Sequence, residues 1–167
     1  MSDIHKPLRR REDGKVAIRN IVKMGDDLLR QRSREVTEFD EGLHQLLDDM
    51  YETMVKNDGV GIAAPQVGIL KRACIVCVDG ETVYELINPV IVKASGRQIG
   101  REGCLSVPGI GGEVERPKKL IVDCRNRFGE AVRYKVSDFT AVAFSHEMDH
   151  LDGILFVDKI IPKEDKR

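Results

Sequence analysis

The stretch SDFTAVAFSHEMDHLDG, residues 137–153, decides how the rest of the chain is read. Ser137-Asp138 offers a helix N-cap and Gly153 a stop. Between them Ala141, Val142, Phe144, Met148 and Leu151 put apolar surface on more than one side, which predicts a buried helix. Inside that helix, His146-Glu147-Met148-Asp149-His150 spells HExxH. Residues four apart share one helical face, so both imidazoles can reach a single ion. Glu147 is turned about 100° from His146 at 3.6 residues per turn. It therefore flanks the ion, where a base acting on metal-activated water belongs. Two imidazoles leave the set one short, because a catalytic centre usually has three protein ligands and an open position for water.

Gly153 extends the motif to HExxHxxG, and proteases of that type place a third histidine three residues later. Here that position is Phe156. Seventeen residues follow His150, and the last acids, Glu164 and Asp165, stand in a charged tail. The ligand is therefore sought upstream. His5 lies in a polar, basic start, and His44 sits between Leu43 and Leu46, where packing explains it. Cys74 and Cys77 form a CxxC, but in the strand-like RACIVCVD residues three apart face opposite ways, so both read as small buried hydrophobes. Cys124, in KKLIVDC, has no polar company. Cys104 differs: REGCLSVPGIGG sets it on a glycine-rich, extended segment, and thiolate suits borderline metals. By elimination the centre is Cys104, His146 and His150.

Upstream, Leu43, Leu46, Leu47, Met50, Met54 and Val55 recur at steps of three and four, predicting an amphipathic helix from near Asp40 to the stop at Asn57-Asp58-Gly59. The segments at 72–79, 82–89, 90–96, 118–126 and 130–137 are β-branched and bounded by Gly, Asn and Pro, with a hairpin turn at RFGE, residues 127–130. The expected fold is α+β: a compact single domain over 16–167, mostly antiparallel strands around a buried C-terminal HExxH helix, with an N-terminal amphipathic helix. Residues 1–15 read as a loose basic extension.

At 41% apolar and 33% charged residues the composition is globular, and four cysteines do not make a disulfide scaffold. The longest apolar run, Ala73 to Val78, is too short to span a bilayer. Residues 1–34 carry ten Lys/Arg against five Asp/Glu, while the remainder carries seventeen against twenty-three. A basic start could attract RNA or another acidic partner, but a solvated terminus is the preferred explanation, and no interleaved aromatics support base stacking.

GVGIAAPQ (59–66), EGCLSVP (102–108) and HEMDHLDG (146–153) occur in this order with compatible spacing. Together they resemble the three signature segments of peptide deformylases, over about residues 17–160. The resemblance implies a cytoplasmic, bacterial-type or organellar enzyme that removes the formyl group from formylmethionine of nascent polypeptides. By it, Cys104, His146 and His150 bind the metal, characteristically Fe²⁺, with zinc, nickel or cobalt as substitutes. Glu147 is the general acid/base, assisting attack of metal-bound hydroxide. The Gln66 side-chain amide and the Leu105 N–H stabilise the oxyanion. Gly59 and Gly61, with Ala63 and Ala64, let a peptide lie along the backbone, and Val60, Val142 and Ala143 wall a pocket for methionine. The implied partners are formylmethionyl nascent peptides and, weakly, the ribosome, without sequence-specific nucleic acid or membrane contact. Two departures stand out. Ser145 replaces a frequent glutamine. GIGG, residues 109–112, replaces bulkier residues and suggests an open rim. Glu102 and Arg116 are expected to pair beside the cysteine loop. The rival readings are a metallopeptidase of another HExxH class and a metal-binding module without turnover.

Overall fold

In the computed structural model, which describes residues 16–163, the HExxH segment is helix α2, Asp138–Leu151. Ala141, Phe144, His146, Glu147, His150 and Leu151 are all buried, so the apolar surface on several sides does bury most of the helix. The chain enters α2 by an abrupt turn: Asp138 adopts φ 56°, its N–H donates to the Lys118 carbonyl, and its carboxylate pairs with Lys118 at 3.0 Å. The basic extension proposed for residues 1–15 lies outside the described residues.

Helix α1, Glu41–Lys56, is capped by the Asp40 side chain, which accepts from the Leu43 N–H at 3.0 Å. Its stripe is buried as expected except at Val55, which is 48% exposed. Val55 follows Met54 by one helical step and is turned off the buried face. The residue in left-handed conformation at the stop is Asp58, φ 56°, rather than Gly59.

Five antiparallel strands form the main sheet in the order β1-β2-β3-β6-β7. They are β1, Gly61–Ala63, β2, Ala73–Val76, β3, Tyr84–Ser95, β6, Lys119–Arg125, and β7, Ala131–Ser137. The two segments expected at 82–89 and 90–96 are the single strand β3. Its register shifts between Ile87 and Val90, where Asn88 takes φ 51° and Pro89 has no N–H to give. The turn after β6 is closed by Asn126, whose Oδ1 accepts from the Phe128 and Glu130 N–H groups. Along β2 the alternation is clean. Ala73, Ile75 and Cys77 join the cluster around α1, while Cys74 and Val76 join the cluster under α2. The two cysteines of the CxxC thus occupy opposite faces of the sheet.

A separate two-stranded sheet, β4, Gln98–Cys104, and β5, Val107–Arg116, was not visible in the sequence pattern. Glycine and charge dilute its β-branched signal. The 109–112 rim belongs to β5 and is open at its start, where a Cβ on Gly109 would meet nothing within 4 Å; further on, a Cβ on Gly112 would lie 2.8 Å from Ile160 Cδ1, and one on Gly111 would lie 2.8 Å from Arg101 Nη2. Neighbouring side chains fill the space that Gly111 and Gly112 vacate.

Helix α2 ends at Asp152 and Gly153, φ 73°, where an added Cβ would collide with the Arg30 carbonyl oxygen. Gly153→Ala combines that collision with a left-handed backbone. It is expected to cost about 1–3 kcal/mol or more in urea unfolding, whereas Gly80→Ala, at φ 76° with nothing near it, should cost less.

Candidate metal centre

The floor of a cleft between β1, the β4–β5 hairpin and α2 is built by residues from all three. Cys104 ends β4 and meets α2, where His146 and His150 stand one turn apart; one ligand atom of each lies within 4.8 Å of the others. Cys104 Sγ and His150 Nε2 are 3.3 Å apart. Sequence spacing brought the two histidines together, and the hairpin supplies the sulfur.

The two rings differ chemically. His146 Nδ1 lies 2.9 Å from Glu102 Oε1, which leaves Nε2 facing the centre. Burial opposes charge on this ring, but Cys104 and Glu102 outweigh it and push its pKa up to about 10. His150 is driven the other way, to about 3, by burial, by His146 and by Arg116, and so presents a neutral imidazole. A site that draws positive charge and offers sulfur and imidazole donors has the electrostatics of a cation site.

Glu102 owes its place to Arg116. The guanidinium donates through Nε and Nη2 to both Glu102 oxygens at 2.9 Å and through Nη1 to Asp149 Oδ2 at 2.6 Å. Burial would raise the Glu102 carboxyl, but the Arg116 and His146 hydrogen bonds hold it at about 2. The expected Glu102–Arg116 pair is therefore present. Its onward contacts to His146 and Asp149 went unforeseen, since only the packing of the hairpin on α2 brings those groups together.

Glu147 sits beside the three donors, with Oε1 3.8 Å from His146 Nε2 and a buried Oε2 that has no hydrogen-bond partner among the described residues. Burial, helped by Glu102 and opposed by His146 and Arg116, pushes its carboxyl up to about 7. A group poised there can both take and give a proton at neutral pH. Gly61 makes room for it, since a Cβ at that position would lie 2.8 Å from Glu147 Oε1. Gly59 does the same for Leu105, with 2.9 Å to Cδ1. These glycines thus pack the site itself, and Ala63 and Ala64 are core. Gln66 is fixed at both ends: its Oε1 accepts from the Ala63 N–H at 2.9 Å, and its Nε2 reaches Ser106 Oγ at 3.1 Å and Cys104 Sγ at 3.5 Å.

Above this floor the cleft encloses about 340 Å³. Gly59, Val60, Gly61, Leu105, Val142 and Ala143 all contribute to its walls. Phe139 and Arg101 also line it and were not singled out in the sequence. Phe156, at the position of the missing histidine, stacks on His146 with centroids 5.9 Å apart. Burial holds the Cys74 thiol well above its usual range and pushes Cys124 up to about 12, so neither is a thiolate at neutral pH. Ser145 is buried in α2 beside His146.

One sulfur and two imidazole donors beside a buried carboxyl, at the floor of a cleft, are the features of a metal-assisted hydrolase. The sequence profile of the polypeptide deformylase family matches residues 18–166. The chain is 52% identical over 146 residues to the peptide deformylase of Acetivibrio thermocellus, covering 87% of this chain and 85% of that one. The crystal structure of the Thermotoga maritima peptide deformylase superposes with a TM-score of 0.85 at 41% identity, covering 87% of this chain and 99% of that one. The Met-Ala-Ser-bound class I type b peptide deformylase from Acinetobacter baumannii gives 0.83 at 37% identity, with 87% and 100% covered. The chain belongs to the polypeptide deformylase family, enzymes that hydrolyse the formyl amide at the N-terminus of nascent peptides.

Arg116→Ala leaves the buried Glu102 without its guanidinium and Asp149 with Lys159 alone, and is expected to cost about 3–5 kcal/mol in urea unfolding, as breaking a buried pair does. Arg133→Ala breaks the exposed pair with Asp123 and should leave the unfolding midpoint nearly unchanged.

Proposed function

We propose that Cys104, His146 and His150 hold one divalent ion, Fe²⁺ in the working enzyme with zinc, nickel or cobalt as substitutes, and that Glu147 is the general acid and base of formyl removal. The convergence of the three donors beside a buried carboxyl carries this reading. Such an ion, when bound, is a Lewis acid that brings the pKa of water from 15.7 to about 7. The rest is the work of the chain. Glu102 accepts from His146 Nδ1–H and so fixes the tautomer whose Nε2 is a free donor. Glu147 takes the proton of the attacking water and returns it to the leaving amine. Gln66 Nε2–H and the Leu105 N–H donate to the oxyanion that forms at the formyl carbon. Gln66 is held ready by Ala63 and Ser106, so little reorganisation is needed.

The substrate is a formylmethionyl nascent peptide. It lies along β1, the edge strand of the main sheet, using the backbone at Gly59, Val60 and Gly61, while Val60, Val142 and Ala143 enclose the methionine side chain. The Met-Ala-Ser ligand of the Acinetobacter baumannii relative supports a cleft of this use. The enzyme works in the cytoplasm, or an organelle of bacterial type, and its basic N-terminal residues favour weak association with the ribosome. No described helix is long and apolar enough to cross a membrane.

The test is anaerobic purification with metal analysis and formate release from formyl-Met peptides. Cys104→Ala is expected to lose the ion. Glu147→Gln should keep the ion and lose most turnover, and Gln66→Ala should slow it about 10²–10³-fold. Cleavage of internal peptide bonds without formate release would overturn the reading.

A further inference from the structure

A cation stands unassigned on the wall of the same cleft. Arg101 is exposed and lines the cavity near Cys104 and Leu105. No hydrogen bond or ion pair engages its guanidinium among the described residues. In register Arg101 faces Glu113 across the hairpin, the place where a cross-strand pair forms most simply. The side chain instead runs diagonally over Gly111. A Cβ there would lie 2.8 Å from Nη2, 3.0 Å from Cζ and 3.1 Å from Nε. Gly111 thus leaves a berth that any larger residue would take from the guanidinium.

Beside the His146 ring at the centre, the other ionisable groups of the cavity are acids: Asp58 on the rim, and the buried Glu102 and Glu147 on the floor. Glu102 is already held by Arg116. Arg101 is therefore the positive group of this wall among the described residues. Arg101 stands three steps along β4 from Cys104, about 10 Å of strand, which is also the span of three extended residues of a bound peptide.

We infer that Arg101 is a specificity residue: its guanidinium binds a carboxylate carried by the second or third residue of the formylated peptide. The planar fork of an arginine suits that group. The inference rests on the deformylase reading and adds to it a preference beyond the first residue. An aspartate or glutamate side chain is one source of the carboxylate, and the free C-terminus of a short peptide is the other.

The test uses the anaerobically purified enzyme and formate release from formyl-Met-Ala-Ser, formyl-Met-Ala-Asp, formyl-Met-Asp-Ala and formyl-Met-Ala-Lys, each as C-terminal amide and as free acid. Among the amides, the acidic peptides are expected to have kcat/KM about two- to fivefold above formyl-Met-Ala-Ser, the range of one exposed ion pair, with the lysine peptide below it. The gain should reside in KM and vanish near 1 M salt, where the screening length is about 3 Å. Arg101→Ala should bring the ratio to one and Arg101→Lys should keep part of it. Gly111→Ala should reduce it with the arginine still present, by pushing the guanidinium aside. A preference confined to the free acids supports capture of the chain terminus and overturns the side-chain source. Equal rates across the amides and the acids, or a preference that survives Arg101→Ala, overturns the inference while formate release still upholds the deformylase reading. Formate from none of the peptides overturns both.

Discussion

One buried guanidinium organises the centre of this molecule. Arg116, at the end of β5, is only 3% exposed, yet it grips Glu102 on β4 and Asp149 on α2. Desolvating such a charge costs several kcal/mol, and its partners repay that only when the geometry is good. Here three donors reach two carboxylates, and Asp149 gains Lys159 as a further partner. Rigidity follows from this satisfaction. Because Glu102 cannot turn away, neither can the His146 ring hydrogen-bonded to it, and the aim of one imidazole is set by a strand rather than by its own helix.

The same constraint separates two histidines that the motif writes identically. One stacks on Phe156 and hydrogen-bonds a carboxylate; the other is pressed against Cys104, with its Nδ1 buried and unbonded among the described residues. The first is drawn toward charge and the second away from it. Glu147, between them in sequence, is buried with one oxygen unbonded among the described residues, and that burial pushes its carboxyl up.

How far the sequence could be read depended on whether a signal was local. Helix spacing showed α1 and α2, the pairing of His146 with His150, and the offset of Glu147. Turn chemistry showed the bend after β6. Cys104 came by elimination, since no other donor had both polarity and reach. The β4–β5 hairpin stayed hidden because Gly100, Gly103, Gly109, Gly111 and Gly112 remove the side chains by which strands are recognised, and pairing at Arg101 and Glu113 is a tertiary fact. The Glu102–Arg116 pair was legible, but the Arg116 contact to Asp149 crosses from the hairpin to α2, so no periodicity carries it. Gly59 and Gly61 had a substrate reading, whereas what each most clearly does is leave volume for Leu105 and Glu147.

The hairpin shares no strand pairing with the five-stranded sheet, and that separation has a thermodynamic side. The sulfur belongs to one hydrogen-bonded unit and the imidazoles pack with the other. An ion held by the three donors would therefore act as a removable cross-link, and its affinity would contain the free energy of holding the hairpin against α2. By linkage, anything that loosens the hairpin weakens that affinity, and occupancy should in turn slow amide hydrogen exchange through β4 and β5 more than through the main sheet.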